Sequence, residues 1–450
     1  MTTITNRDIT RMGVTELAAG VAGGRLTPAA VADAYLAHIE AIEPSIQAFS
    51  YLDLAAVRAQ AAELTTEAEA GKLRGPLHGV PVAIKDEFHV AGMPTGMRGA
   101  GEWPAEPVDA TPVARLKAAG ALILGKTHMP VDGVVPPTRN PWNLAHTAGG
   151  SSTGSGAAVG ARMAPVAMGE QSGGSNLRPA AYCGIQAFKP SWGRISRFGL
   201  MPFAWNTDHP GVIGLTMADL ALVYSVVAGP DPLDPTTLPA SGFDGSIAPL
   251  GRAPKVGVVR NFFPERTQPE MQAAVEAGAA KLKAAGAEVV DVSLPEEFGV
   301  IWPAHRLVLG TEGAAFHDTR RLGTEHTWTA GTLRDRALMS LVPNVYYMQA
   351  LRIRRWLTLK LADVFAGVDT LLMATAPGPA PRDLTTTGDA SLLSPWSFVG
   401  FPALSLNGGL AENGMPLGLQ FVGGQFQDEH LLSVGAWCEA VLGILPEPPL

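Results

Sequence analysis

A strand–helix–strand rhythm that recurs at two distant places constrains the fold most. Residues 254–259, PKVGVV, form a short apolar run. Residues 271–286, MQAAVEAGAAKLKAAG, then carry small and apolar residues at helical spacing and stop on Gly286. Residues 287–294, AEVVDVSL, return to an apolar, β-branched run. Part of the same order appears at 111–125, TPVARLKAAGALILG, as helix, glycine stop and strand. Strands alternating with helices of this length pair in parallel and lay helices over the sheet faces. The expected class is α/β, a central mixed twisted sheet with helices on both faces. Residues 1–450 read as a single large domain. It has a helical N-terminal segment over about 1–74, a core over 75–295, a helical cap over about 296–360 and a return to the sheet over 361–450.

Composition supports a large core and excludes several function classes. Hydrophobic residues make up 46% of the chain and charged ones only 16%, which suits extensive burial. The net charge of −8 argues against a nucleic-acid partner, which needs a basic face. Arg352, Arg354 and Arg355 form the densest basic group, and they read as the solvated side of a helix. No apolar run is long enough to span a bilayer, so no membrane association is expected. The two cysteines, Cys183 and Cys438, make no disulfide framework. A soluble cytoplasmic protein is the resulting expectation. None of the ten histidines sits in a metal-binding pattern such as H-E-x-x-H, and no cofactor motif occurs. No metal and no cofactor are expected.

Three stretches carry candidate chemistry. In GPLHGVPVAIKDEF (75–88), Val80 to Ile84 reads as a buried strand, with Lys85 and Asp86 at its end. Taken alone, Lys85 is a surface lysine, and the adjacent Asp86 favours that bland reading. In AGGSSTGSGAAVG (148–160), a phosphate-binding loop is ruled out by the missing lysine after Gly154. Gly150 to Gly154 fits G-x-S-x-G with Ser152 central, which allows a Ser-His-Asp esterase. That motif needs a preceding strand, however, and NPWNLAHTA (140–148) does not read as one. Residues 155–163 read as a short helix and 164–169 as a buried strand of matching length. Together they would return the chain so that Ser175, in GEQSGGSNLRP (169–179), lies near Ser151. By itself Ser175 is most simply a turn serine.

GVPVAIKD, AGGSSTGSGAAVGARMAPVAMG and SGGSNLRPAAYCGIQAFKPSWGRISRFGLMP occur in this order, with RNPWN (139–143) and FVGFPALSLNGGLAENGMPLGLQFVG (398–423). Together they resemble the amidase signature family of Ser–Ser–Lys hydrolases over nearly the whole chain. The resemblance implies Lys85 as general base, Ser151 as bridging serine across a cis Gly150–Ser151 bond, and Ser175 as nucleophile. It also implies an oxyanion hole from the N–H groups of Ser172, Gly173, Gly174 and Ser175, and substrate contacts at Met129, Gly149 and Gln171. A serine hydroxyl needs a base to become nucleophilic. A lysine is a base only when neutral, and burial is the expected means of lowering its pKa.

Two departures from the family stand out. Where members carry an Asp and an Arg around the nucleophile, this chain has Gln171 and Leu177. We read this as a charge pair replaced as a unit, with Arg178 next door. The stretch between Lys126 and Pro137 is also shorter than in typical members, which predicts a wide mouth and bulky or aromatic substrates. His128 and His146 flank it and are expected to be solvated.

The leading expectation is hydrolysis of carbon–nitrogen bonds in small amides or carbamates by a monomer or homodimer, similar to urethane-cleaving members. The alternative is an amidotransferase A-type glutaminase subunit, which implies partner chains. The remaining alternative is the Ser152 esterase.

Overall fold

Val82, Ala83 and Ile84 form the middle of a strand buried on both faces, as their apolar run implies. Proline is tolerated at its first position, Pro81, where a ladder hydrogen bond is least needed. The computed structural model describes residues 4–96, 105–131, 133–239, 242–321 and 329–450. Among these, thirteen strands occur: β1 (Phe49–Leu52), β2 (Pro81–Lys85), β3 (Leu122–Thr127), β4 (Arg139–Asn140), β5 (Asn143–Thr147), β6 (Val166–Glu170), β7 (Gln186–Lys189), β8 (Pro210–Gly214), β9 (Lys255–Val259), β10 (Glu288–Val292), β11 (Thr370–Ala374), β12 (Ala403–Leu410) and β13 (Pro416–Val422).

Eleven of them form one mixed sheet in the order β1-β3-β2-β6-β8-β7-β12-β13-β11-β9-β10. Strand β2 lies parallel to both β3 and β6, and β9 parallel to β10 and β11. The central strands pair antiparallel. The α/β class and the mixed sheet are thus as the strand–helix rhythm predicts. Two short strands were not anticipated. Strand β1 interrupts the helical N-terminal region and pairs with β3. NPWNLAHTA is also not strand-free, because β5 pairs with β4 in a separate ladder.

Because β2 and β6 are parallel, with Ala83 opposite Ala167 and Ile84 opposite Met168, their carboxyl ends reach the same sheet edge. That edge is where open α/β sheets place their ligands. Between them in sequence runs the helix Thr153–Gly160, TGSGAAVG, buried on every side. Its glycines permit that burial. A Cβ on Gly154 would stand 2.1 Å from the Ala48 carbonyl oxygen, and one on Gly156 would stand 2.9 Å from Pro179 Cβ.

The helices Ile301–Arg321 and Ala330–Ser340 line the cavity at this edge, and Asn344–Phe365 packs against the first of them. Aromatic packing ties two of them to neighbouring segments. Trp302 meets Phe298 edge-on at 5.6 Å between ring centres, and Phe365 meets Trp396 edge-on at 6.4 Å. Among the described residues, no helix is long and apolar enough to cross a membrane.

Candidate active site

At the shared edge, the Lys85 ammonium donates to Ser151 Oγ at 2.9 Å. The Gly150–Ser151 peptide is cis. The main-chain N–H of Ser152 donates to the Ser175 carbonyl at 3.1 Å, which joins the two serine-bearing turns. Ser151, Ser172, Gly173, Gly174 and Ser175 all line one cavity of about 650 Å³, and Lys85 stands fully buried behind Ser151. The four N–H groups of residues 172–175 have no main-chain acceptor among the described residues. They are available to a developing oxyanion.

Gln171 shapes this turn from behind the cavity rather than from within it. Its side-chain carbonyl accepts from the N–H groups of Asn176 and Leu177 at 3.1 and 3.0 Å. Its amide donates to Ser397 Oγ, which in turn donates to the Gly173 carbonyl. Gly149 is likewise buried behind the wall, where a Cβ would meet Pro179 Cα at 2.9 Å. Of the three residues read as substrate contacts, only Met129 lines the cavity; Gly149 and Gln171 do not. His128 and His146 do not line it either. His146 is buried rather than solvated, with Nδ1 2.7 Å from the Ala380 carbonyl.

Ser152 is fully buried. Its hydroxyl donates to the Glu170 carbonyl and accepts from the Glu170 N–H, both at 3.2 Å. It has no access to the cavity, so the esterase alternative loses its nucleophile. His305 lines the cavity, but its Nε2 lies 3.1 Å from the Ser172 carbonyl and burial lowers its pKa to about 4.

The sequence reading missed the carboxylates. Glu170 Oε2 lies 3.0 Å from Lys85 Nζ and Glu87 Oε2 lies 2.5 Å from it, all three side chains being buried. Glu87 and Glu170 also line the cavity. Burial disfavours the Lys85 ammonium, but the two carboxylates outweigh it and hold the lysine above its ordinary value. The expected depression of its pKa is therefore reversed. Burial drives the Glu87 carboxyl well above the usual range, against the pull of Lys85 and with the push of Glu170 and Asp208. Asp208 is raised to about 8, mainly by burial and then by the charge of Glu170. Asp86, read as a companion of Lys85, instead pairs with Lys126 at 3.0 Å. An acidic residue at the end of each of two apolar strand segments was the signal available in the sequence.

Arg178 closes another side of the cavity. Its guanidinium donates to the Gly150 carbonyl at 2.6 Å and the Gly388 carbonyl at 2.8 Å. It therefore grips the peptide that presents Ser151. The rest of the wall is largely apolar, with Met129, Val131, Val135, Met201, Phe203 and Leu309, and it also carries Arg306, Asp335 and Arg336.

The amidase family model matches residues 30–432. The chain belongs to the amidase signature family. It is 36% identical to the A-type subunit of the glutamyl-tRNA(Gln) amidotransferase from Roseiflexus castenholzii (strain DSM 13941 / HLO8), covering 92% of each chain. Among solved structures it superposes on 6-aminohexanoate cyclic dimer hydrolase with a TM-score of 0.87 at 28% identity, covering 98% of this chain and 99% of that one. A structure of a vestigial protein complex that bears on the origins of an s-triazine catabolic enzyme gives 0.86 at 30% identity, covering 97% and 100%. As a member of the family, this chain is an enzyme acting on carbon–nitrogen bonds.

Proposed function

We propose that this amidase-family chain cleaves the carbon–nitrogen bond of an amide through an acyl-enzyme on Ser175. The observation that carries the reading is the Lys85–Ser151 hydrogen bond set directly behind a cavity wall that Ser151 shares with Ser175. Ser175 attacks the carbonyl as its proton passes to Ser151 and toward Lys85, since a hydroxyl both donates and accepts. The free N–H groups of the 172–175 turn hold the oxyanion. The tetrahedral species collapses, and the leaving amine takes a proton back along the same path. Water then repeats the sequence on the acyl-enzyme.

Two substrate readings are each supported by one observation. The relatives named as A-type chains of glutamyl-tRNA(Gln) amidotransferases favour a glutamine amide handled within a multi-chain assembly. They support this more strongly than the carbamate reading drawn from the sequence. The apolar chamber favours a bulky or aromatic amide cleaved by the chain alone. The test is to run the purified chain on glutamine, chromogenic anilides, carbamates and esters, beside Ser175→Ala, Lys85→Ala and Ser152→Ala. Ser175→Ala and Lys85→Ala should abolish turnover. Ser152→Ala should retain it, apart from any loss of fold. Activity that survives in Ser175→Ala would refute the acyl-enzyme. Anilide turnover without partners would favour the second substrate reading, and glutamine turnover only within an assembly the first.

A further inference from the structure

Among the described residues, the side chains on the cavity wall that can carry a charge all have a partner, with one exception. Glu87 and Glu170 face the Lys85 ammonium. Arg178 is held by the Gly150 and Gly388 carbonyls, and His305 Nε2 lies 3.1 Å from the Ser172 carbonyl. Arg336 lies over the Phe203 ring, 4.9 Å from its centre, where Gly313 leaves room for its guanidinium. Asp335 has the Arg334 guanidinium 3.9 Å away. The exception is Arg306. It lines the cavity and is exposed, and among the described residues it makes no hydrogen bond, ion pair or ring contact. Its place in the fold is set by the oxyanion turn. His305, the residue before it, packs its ring against that turn, so the Arg306 side chain starts one residue, about 3.8 Å, further along. Leu309 and Gly310, three and four residues on, share a helix face with Arg306 and line the cavity with it. The guanidinium therefore stands where the reacting cavity meets solvent.

We propose that Arg306 binds a carboxylate carried by the substrate, so that this chain cleaves amides that bear an acid group elsewhere in the molecule. The inference deepens the Ser175 acyl-enzyme reading and rests on it. A guanidinium presents a planar fork of N–H donors that matches the two oxygens of a carboxylate. The apolar walls at Met201, Phe203 and Leu309 screen a charge less than water does, which strengthens such a pair. Asp335 on the same wall disfavours a doubly charged phosphate. Both substrate readings accommodate the group. Glutamine carries a carboxylate on the chain that ends in its amide, and a bulky amide would need one of its own. Arg306 is then a specificity-determining residue that selects and orients the amide for Ser175, without taking part in proton transfer.

Two matched pairs of substrates test this, with products followed by chromatography. Succinyl 4-nitroanilide and its methyl ester differ in a charge on the acyl side. N-butyryl-4-aminobenzoate and its methyl ester differ in a charge on the amine side. The wild type should prefer the acid in at least one pair by about 10-fold in kcat/KM, the low end for a hydrogen bond to a charged group. The pair that shows it tells which side of the amide carries the carboxylate. Arg306→Gln should abolish the preference, and Arg306→Lys, which keeps the charge without the fork, should keep part of it. Added salt should shrink it in the wild type. An acid preference in neither pair, one that survives in Arg306→Gln, or one lost in Arg336→Gln instead would overturn the inference. Phenylboronic acid, which adds to a nucleophilic serine, separates this from the reading beneath it. A chain that binds the boronate through Ser175 but cleaves none of the four substrates would overturn the inference alone. A boronate bound as tightly by Ser175→Ala as by the wild type would bring down the acyl-enzyme reading, and the inference with it.

Discussion

The side-chain carbonyl of Gln171 accepts the main-chain N–H of Leu177 at 3.0 Å, while the Leu177 side chain is wholly buried in the core. The position that resemblance assigns to an arginine is therefore packed with hydrocarbon. The residue expected to be its acidic partner has become a neutral cap. The amide also donates to Ser397, which a carboxylate could not do.

This predicts energetic coupling between the two positions. Leu177→Arg alone buries an unpaired guanidinium and should destabilise the fold by about 3–5 kcal/mol. Gln171→Asp alone should cost less, because an acid at that place still accepts N–H groups. The double variant should recover at least about 1 kcal/mol of the summed loss. Denaturant melts of the four proteins close the cycle, and strictly additive losses would show that the pair was not replaced as a unit.

Arg178 should act on catalysis through Ser151. It donates to the carbonyls on two separate segments, Gly150 and Gly388. Arg178→Met removes both bonds while keeping bulk, and should lower kcat by up to about 100-fold through misplacement of Ser151. KM should change little. Arg178→Lys should not restore the rate, because a single ammonium lacks the planar fork that reaches both carbonyls. A variant that raised KM alone would assign Arg178 to substrate binding instead.

Asp208 gives the fold a pH dependence of definite sign. Its carboxyl is raised from 3.8 to about 8 in the native state, first by burial and then by Glu170. The folded protein therefore binds this proton more tightly than the unfolded chain does. Its contribution is fully present below about pH 4 and is lost as pH rises toward 8, at no more than about 1.4 kcal/mol per unit. Asp208→Asn should flatten the fall in stability between pH 5 and 8, measured by urea midpoint. It should do so while keeping an acceptor for the N–H groups of Phe203 and Ala204. An unchanged slope in this variant would remove Asp208 as its cause.

The α/β class was legible because the strand at 254–259 and the helix and strand after it carry their own periodicity and stops. The proximity of Ser151 and Ser175 was legible too, from a helix and a strand of matching length between them. Strand β1 was not, since FSYL is four residues long and takes its structure from pairing with β3. The Lys85 environment was hidden for a different reason. Burial of a lysine can be inferred from an apolar strand, but its pKa depends on neighbours brought by other strands. Glu87, two residues on, and Glu170, from a strand more than eighty residues away, together reverse the sign. Gln171 misled because the resemblance implied a substrate contact there, whereas its side chain turns back to accept the N–H groups of Asn176 and Leu177.

The apolar chamber sets the last prediction. Leu309, on the helix Ile301–Arg321, lines the same cavity as Met129, Val131 and Ser175. Leu309→Trp would take up space in this cavity while leaving Lys85, Ser151 and Ser175 unchanged in sequence. If this chamber takes the bulky part of the substrate, kcat/KM for aryl anilides should fall about 10–200-fold, the range that misfit by a few methylenes produces. Turnover of a small aliphatic amide or of glutamine should hold, because the reacting groups are undisturbed. The ratio of the two kcat/KM values, measured on one preparation, removes differences in active fraction. An equal loss on both substrates would mean that the cap has shifted onto the nucleophile. A loss on neither would place the bulky group outside the chamber and favour the glutamine reading.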